Sequence, residues 1–311
     1  MVVILVGWWL PPLEDNLRLQ RPRWRYSVQG SLAASSDWGS KMPQRDEYLL
    51  GYRRVEQERL VEQAGQLADE SAALFDRLPI VEGARVVEIG CGPRSCLDLL
   101  ARRVGPSGTV FGIERSEDAV GLARALVDEQ GLANVEIVQG DARSRVLPTG
   151  TFDLVTSRLV LVNVPQPEEI VAQAVALARP GGFVAFHEAD YVAHVCDPPS
   201  LAWDRAVEVL NRYSMSSGID LFIGRKLPRY LREAGLADVE AHPLIHIYPP
   251  GHGRRSILLD FVENLSERLV DTNTIPADEL GALKRSLREH LDDPDTLVVS
   301  HLFIQAWGRK P

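Results

Sequence analysis

Cysteine is scarce in this 311-residue chain, with only Cys91, Cys96 and Cys196. An odd, small number of thiols excludes a disulfide scaffold, and no C-x-x-C spacing suggests zinc. A reducing, cytoplasmic setting is expected, with Cys91 and Cys96 as small packing residues. Nor are the seven histidines set among acids at helical ligand spacing, so no metal is expected. Basic charge is also in deficit: 34 Lys and Arg face 43 Asp and Glu, for a net charge of −9. That balance argues against a nucleic-acid partner, for which a basic surface is expected. Long apolar runs are missing as well. The apolar start, MVVILVGWWLPP, falls short of the ~20 residues of a membrane span. Arg18, Arg21, Arg23 and Arg25 follow that stretch rather than precede it, unlike a secretory signal. Residues 1–41 are therefore expected to be a disordered or accessory extension. A docking arm over a partner subunit is the alternative, and a homodimer stays open.

What the chain does hold is a run of strand-ending polar residues. In RVVEIGCGPRS, residues 85–95, a β-branched stretch passes Glu88, turns through Gly90 and Gly92, and enters an apolar helix pattern. Strand, glycine turn, helix brings backbone close to a nucleoside cofactor at the edge of a parallel sheet. Glu88, just before the first glycine, suits a cofactor with a cationic end better than one with a pyrophosphate. The next strand ends at Glu114, 22 residues after Gly92, where an acid can accept from ribose hydroxyls. Arg115 follows it. VEIVQ then runs into Gly140, Asp141 and Ala142, an acceptor and a backbone donor for an adenine edge. FDLVTS ends at Ser157 and Arg158. Four strands with a polar residue at each carboxyl end describe a ligand crevice.

These segments in order, VEIGCGP, GIERS, GDAR, FDLVTSRLVLVNVPQPEEIV and RPGGFVAFHE, resemble the motifs of class I S-adenosylmethionine-dependent methyltransferases. The likeness is greatest to the bacterial small-molecule group related to ubiquinone and menaquinone biosynthesis. It covers residues 48–188 well, and YLLGYRRVEQERLVEQA resembles that group's N-terminal helix. The resemblance implies an α/β, Rossmann-like, seven-stranded and mostly parallel sheet whose last strand is antiparallel. It implies S-adenosyl-L-methionine as cofactor. Glu88, Gly90 and Gly92 would lie near its methionine part, Glu114 at the ribose, and Asp141 and Ala142 at the adenine. Ser157 and Arg158 would stand on the active-site side, with Gln63 reaching in from the N-terminal helix. One departure concerns the third glycine of the usual pattern, replaced here by Arg94. Its side chain either obstructs the cofactor or donates to the methionine carboxylate.

Residues 42–311 read as a single methyltransferase domain. N-terminal helices fill 42–82 and the cofactor-binding core 83–190. Inserted lid helices occupy 191–236 and 252–293, and the last strands 237–251 and 294–311. In finer detail, helices are expected at 52–78, 117–130, 167–177 and 199–213, with two more within 257–290. The expected reaction is methyl transfer to oxygen, nitrogen or carbon of a small-molecule acceptor. His187 and Glu188 are candidate bases at the end of strand five, ahead of His242 and His246 on an edge strand. Two other readings remain. One is a methyltransferase-like protein catalysing a cyclisation or rearrangement. The other is a nicotinamide-dependent oxidoreductase, since Gly90-x-Gly92-x-x-Ser95 is near the dinucleotide fingerprint.

Overall fold

Five strands of β-branched and apolar residues build the parallel part of the sheet. They are β1 (Arg85–Ile89), β2 (Thr109–Glu114), β3 (Val135–Gln139), β4 (Phe152–Arg158) and β5 (Ala178–Asp190). The computed structural model describes residues 54–311, so the expectation for residues 1–41 lies outside them. Two helices come first, α1 (Arg54–Gln66) and α2 (Ala68–Asp76). Between the strands run α3 (Leu97–Val104), α4 (Glu117–Glu129) and α5 (Pro167–Leu177). Beyond β5 follow β6 (Val195–Asp197), α6 (Leu201–Ser216), α7 (Leu227–Glu233) and β7 (Ala237–Leu244). The chain then makes α8 (Ile257–Asn264), α9 (Ser266–Asp271), α10 (Ala277–Asp292), β8 (Leu297–Val299) and β9 (Leu302–Arg309).

The main sheet has seven strands in the order β3-β2-β1-β4-β5-β9-β7. The β1, β2, β3, β4 and β5 pairings are parallel, and β9 runs antiparallel to both neighbours. That is the mixed sheet the resemblance implied. The chain leaves β1 toward β2 and β3, then returns to its other side as β4. This reversal opens a crevice at the carboxyl ends of the strands. Val86, Val87 and Ile89 are fully buried because helices cover both faces of the central strand. On one face Leu74, Phe75, Leu97 and Leu100 pack against β1 and β2. On the other, Ile170, Leu210, Leu227 and Val262 close over β4 and β5.

Local chemistry sets the helix ends. Ser116 accepts from the Ala119 amide as N-cap of α4, and Glu117 and Asp118 sit in its first turn where the dipole favours them. The expected helix over 52–78 is instead divided at Leu67, with residues 52–53 outside the described set. There the Leu67 carbonyl accepts from Ser71 Oγ at 2.9 Å and Arg158 Nη1 at 3.3 Å, a side-chain intrusion that bends helices. β5 also begins earlier than expected, running through the Arg-Pro-Gly-Gly stretch. It absorbs that stretch as a register shift against β4, with Gly181 at φ +77° bonding Lys310. The 257–290 region holds three helices rather than two, and the strand expected over 294–311 is split, its first part β8 pairing with β6, which was not expected.

Candidate active site

The crevice is a cleft of ≈ 990 Å³, its open mouth included. Its floor is the glycine turn after β1. Gly90 and Cys91 both donate to the Ile113 carbonyl, at 2.8 and 3.1 Å, which fastens the turn to β2. Gly90 has φ +64°, and a Cβ there would stand 2.4 Å from Val160 Cγ2. Only glycine meets both conditions.

Glu114 is the hub of the site. Its Oε2 accepts from the Gly92 amide at 3.0 Å and its Oε1 from the Ser116 amide at 2.8 Å. One carboxylate thus ties the glycine turn to the start of α4, and each oxygen retains a lone pair. Glu114 and Arg115 line the cleft. Across from them, Asp141 accepts from the Arg143 amide at 2.9 Å and from its guanidinium at 2.7 and 3.0 Å. Those Arg143 hydrogen bonds, aided by the charges of Arg143 and Arg115, hold the Asp141 carboxyl below its ordinary range. Ala142 follows on the same wall. Arg158 enters from β4, donating to Ser71 Oγ at 2.8 Å, and Gln63 overhangs from α1.

Of the residues singled out from sequence, Gln63, Gly90, Gly92, Glu114, Arg115, Asp141, Ala142 and Arg158 all line this cleft. The others stand elsewhere. Glu88 is fully buried, and both its oxygens accept from the Cys96 amide, at 2.9 and 3.1 Å, capping α3. Burial pushes its carboxyl up to about 7, against the Ser95 hydroxyl and the Arg158 charge. Arg94 turns its guanidinium to Asp98 at 3.4 Å, so the cleft wall at this place is Ser95, itself at φ +38°. Ser157 is buried with an unpartnered hydroxyl. Glu188 lies under the cleft wall, where its carboxylate accepts from the amides of Val160, Leu161 and Val162 at 2.9–3.1 Å. Burial raises its carboxyl to about 8, against those three amides. His187 is buried and its pKa is lowered to about 3, chiefly by burial and then by Arg158 and Arg254. Burial also raises the thiols, Cys96 to about 12 and Cys91 well above its ordinary value, consistent with packing.

Sequence reading missed Gln57, Leu60, Pro93, Arg143, Val160 and Pro165 on the cleft walls. Val160 and Pro165 lie on the loop after β4, and Gln57 and Leu60 precede Gln63 on α1 by six and three residues. That helical spacing was the available signal. Among the described residues no cluster of His, Cys, Asp or Glu is arranged to hold a metal ion. No described helix is long and apolar enough to cross a membrane.

Comparison with known proteins agrees with this geometry. A methyltransferase-domain family model matches residues 80–235, half of the chain, and the chain belongs to that family. It is 31% identical over 219 residues to an uncharacterized 37.1 kDa protein of a Streptomyces fradiae transposon, covering 68% of this chain and 61% of that protein. It is 34% identical over 108 residues to demethylmenaquinone methyltransferase of Anoxybacillus flavithermus, covering 35% of this chain and 46% of the relative. The chain therefore spans about half of the length of these curated relatives. A solved structure, phosphoethanolamine N-methyltransferase 2 of Haemonchus contortus with phosphomonomethylethanolamine and S-adenosylhomocysteine, superposes with a TM-score of 0.52. It shares 17% identity, over 78% of this chain and 52% of that one, a likeness of fold.

Proposed function

We propose that this chain transfers a methyl group from S-adenosyl-L-methionine to a small-molecule acceptor, in a reducing cytoplasmic setting. The observation that carries the reading is the order of groups along the cleft. The glycine turn, Glu114, then Asp141 with Ala142 lie at the ends of β1, β2 and β3. A backbone cradle, a carboxylate with spare lone pairs and an acceptor–donor pair suit a methionine chain, a ribose and an adenine in that sequence. The named relative and the superposed structure are methyltransferases of small molecules, which supports the same class.

Bound there, the cofactor supplies a methyl on a sulfonium that carries its own leaving group. The chain's own task is alignment, which can lower a barrier by ~7–11 kcal/mol, and exclusion of water. Gln63 and Leu60 from α1 and the loop after β4 form the walls that do so. Glu88 speaks against the nicotinamide reading. A dinucleotide places its pyrophosphate at the helix N-terminus after the glycine turn. Here a buried carboxylate already takes the first amide of that helix. Calorimetric titration of the full chain with S-adenosylhomocysteine and with NADH tests the assignment. Binding of the first alone is expected, and binding of NADH alone would overturn it.

A further inference from the structure

The geometry points to Arg254 as the anchor for an anionic oxygen of the acceptor, amid a cluster of buried histidine and aromatic side chains joined to the cofactor cleft through Gln63. This rests on the methyltransferase reading and extends it to the class of acceptor: a small, flat acid.

Arg254 is 3% exposed, just before α8. Its Nε donates to Tyr248 Oη at 3.1 Å and its Nη1 to Gln63 Oε1 at 3.4 Å. Both acceptors are neutral, and the guanidinium forms no ion pair among the described residues. The neighbouring Arg255 shows the contrast. It donates to the carbonyls of Tyr248, Leu291, Asp293 and Thr296 at 2.7–2.9 Å, the pattern of a structural arginine. Arg254 instead keeps Nη2 uncommitted. A buried cation with neutral partners alone is costly unless a complementary charge arrives, and its planar fork matches a carboxylate.

A second, independent observation lies around it. Both ring nitrogens of His187, Nδ1 of His301 and Oε1 of Gln305 are buried with no partner among the described residues. All three residues are 1% exposed or less. They are close together: Gln305 faces His187 across the β5–β9 register, and Phe303 is 5.3 Å from the His187 ring and 4.3 Å from the His301 ring. The Arg254 guanidinium lies over the same Phe303 ring at 5.5 Å. Buried polar atoms are seldom left unpaired, and several of them around one guanidinium describe a ligand with its own donors and acceptors. The ring faces suit a flat body. The depressed His187 and His301 leave those imidazoles neutral, so the positive charge at this spot comes from the guanidiniums of Arg158 and Arg254. Gln63 connects the cluster to the cleft, since it lines the cofactor cleft while its Oε1 accepts from Arg254.

The test titrates the full chain with 1-naphthoate and with 1-naphthamide, two flat probes of similar shape that differ in charge. The acid is expected to bind at least about tenfold tighter, equivalent to ~1.4 kcal/mol. Arg254→Gln should erase that preference and Arg254→Lys should keep part of it. Equal affinities, binding of neither probe, or a preference that survives in Arg254→Gln would each overturn the proposal. If Arg254→Gln fails to unfold cooperatively, the acid–amide comparison on the unaltered chain decides alone. S-adenosylhomocysteine titrated into the same unaltered chain separates the two claims. Cofactor binding without acid preference sinks only the anchor, and acid preference without cofactor binding sinks the methyltransferase reading.

Discussion

Replacing Gly90 by alanine perturbs the cleft at its tightest place. The backbone there has φ +64°, a region that costs an L-residue ~1–2 kcal/mol. The new methyl would also approach Val160 Cγ2 at 2.4 Å. Val160 cannot simply retreat, because its amide is held by Glu188 Oε1 at 3.0 Å. Overpacking of this kind adds ~1–3 kcal/mol, so the loss should total ~2–5 kcal/mol, a large share of an ordinary folding free energy. The two contributions can be separated. Val160→Ala removes the clashing methyls and leaves Cβ at 3.4 Å, an ordinary contact. Gly90→Ala in the Val160→Ala background should therefore cost only the ~1–2 kcal/mol of backbone strain. Urea unfolding of the parent, both single variants and the double variant measures this as a coupling of ~1–3 kcal/mol. Additivity within ~0.5 kcal/mol, or a Gly90→Ala protein as stable as the parent, would refute the close-approach argument.

Asp141→Ala removes the acceptor on the β3 wall and should weaken S-adenosylhomocysteine binding by ~1–3 kcal/mol by calorimetry; unchanged affinity counts against the adenine position. Glu88→Ala leaves the Cys96 amide unpaired at the start of α3 and should lower unfolding stability by ~1–3 kcal/mol, with equal urea midpoints as the contrary result. His187 makes stability depend on pH. Its imidazole stays neutral in the fold down to about 3, whereas the unfolded chain takes up a proton near 6.5, so its contribution is lost as pH falls through that window. Between pH 6.5 and 5 the loss is ~1.6 kcal/mol. Glu88 and Glu188, raised to about 7 and 8, act in the opposite sense, so the readout is the difference in pH slope between His187→Leu and the parent. Superimposable slopes would refute a buried neutral His187.

Residues close in sequence to a strand end were the readable part of the site. Glu114, Asp141 and Arg158 stand directly after β-branched runs, so the strand period and the crossover rule place them together. Glu88 and Arg94 show the limit of that reasoning. Type and position suggested a ligand contact for both, but each found a partner a few residues along the chain, at Cys96 and Asp98. Such local capture depends on side-chain direction, which residue spacing does not encode. Arg254 was invisible for another reason. Its neighbours Gln63, Tyr248 and Phe303 come from three distant segments, and only tertiary packing shows that Arg255 is saturated by backbone carbonyls while Arg254 keeps an uncommitted donor. In the fold, the seven-stranded, mostly parallel sheet with its antiparallel last strand was implied by the family resemblance. The turn at Leu67 did not, since it depends on Arg158 reaching α2 from β4.

The Glu188 clamp has a consequence for how this cleft can diversify. Its carboxylate grips residues 160–162 by their main-chain amides alone, so the anchorage is blind to which side chains they carry. Val160, the one of the three that faces the cleft, can be exchanged, by drift or by an engineer, without being set adrift. Proline at any of those three places would undo the clamp itself, because it has no amide hydrogen to offer.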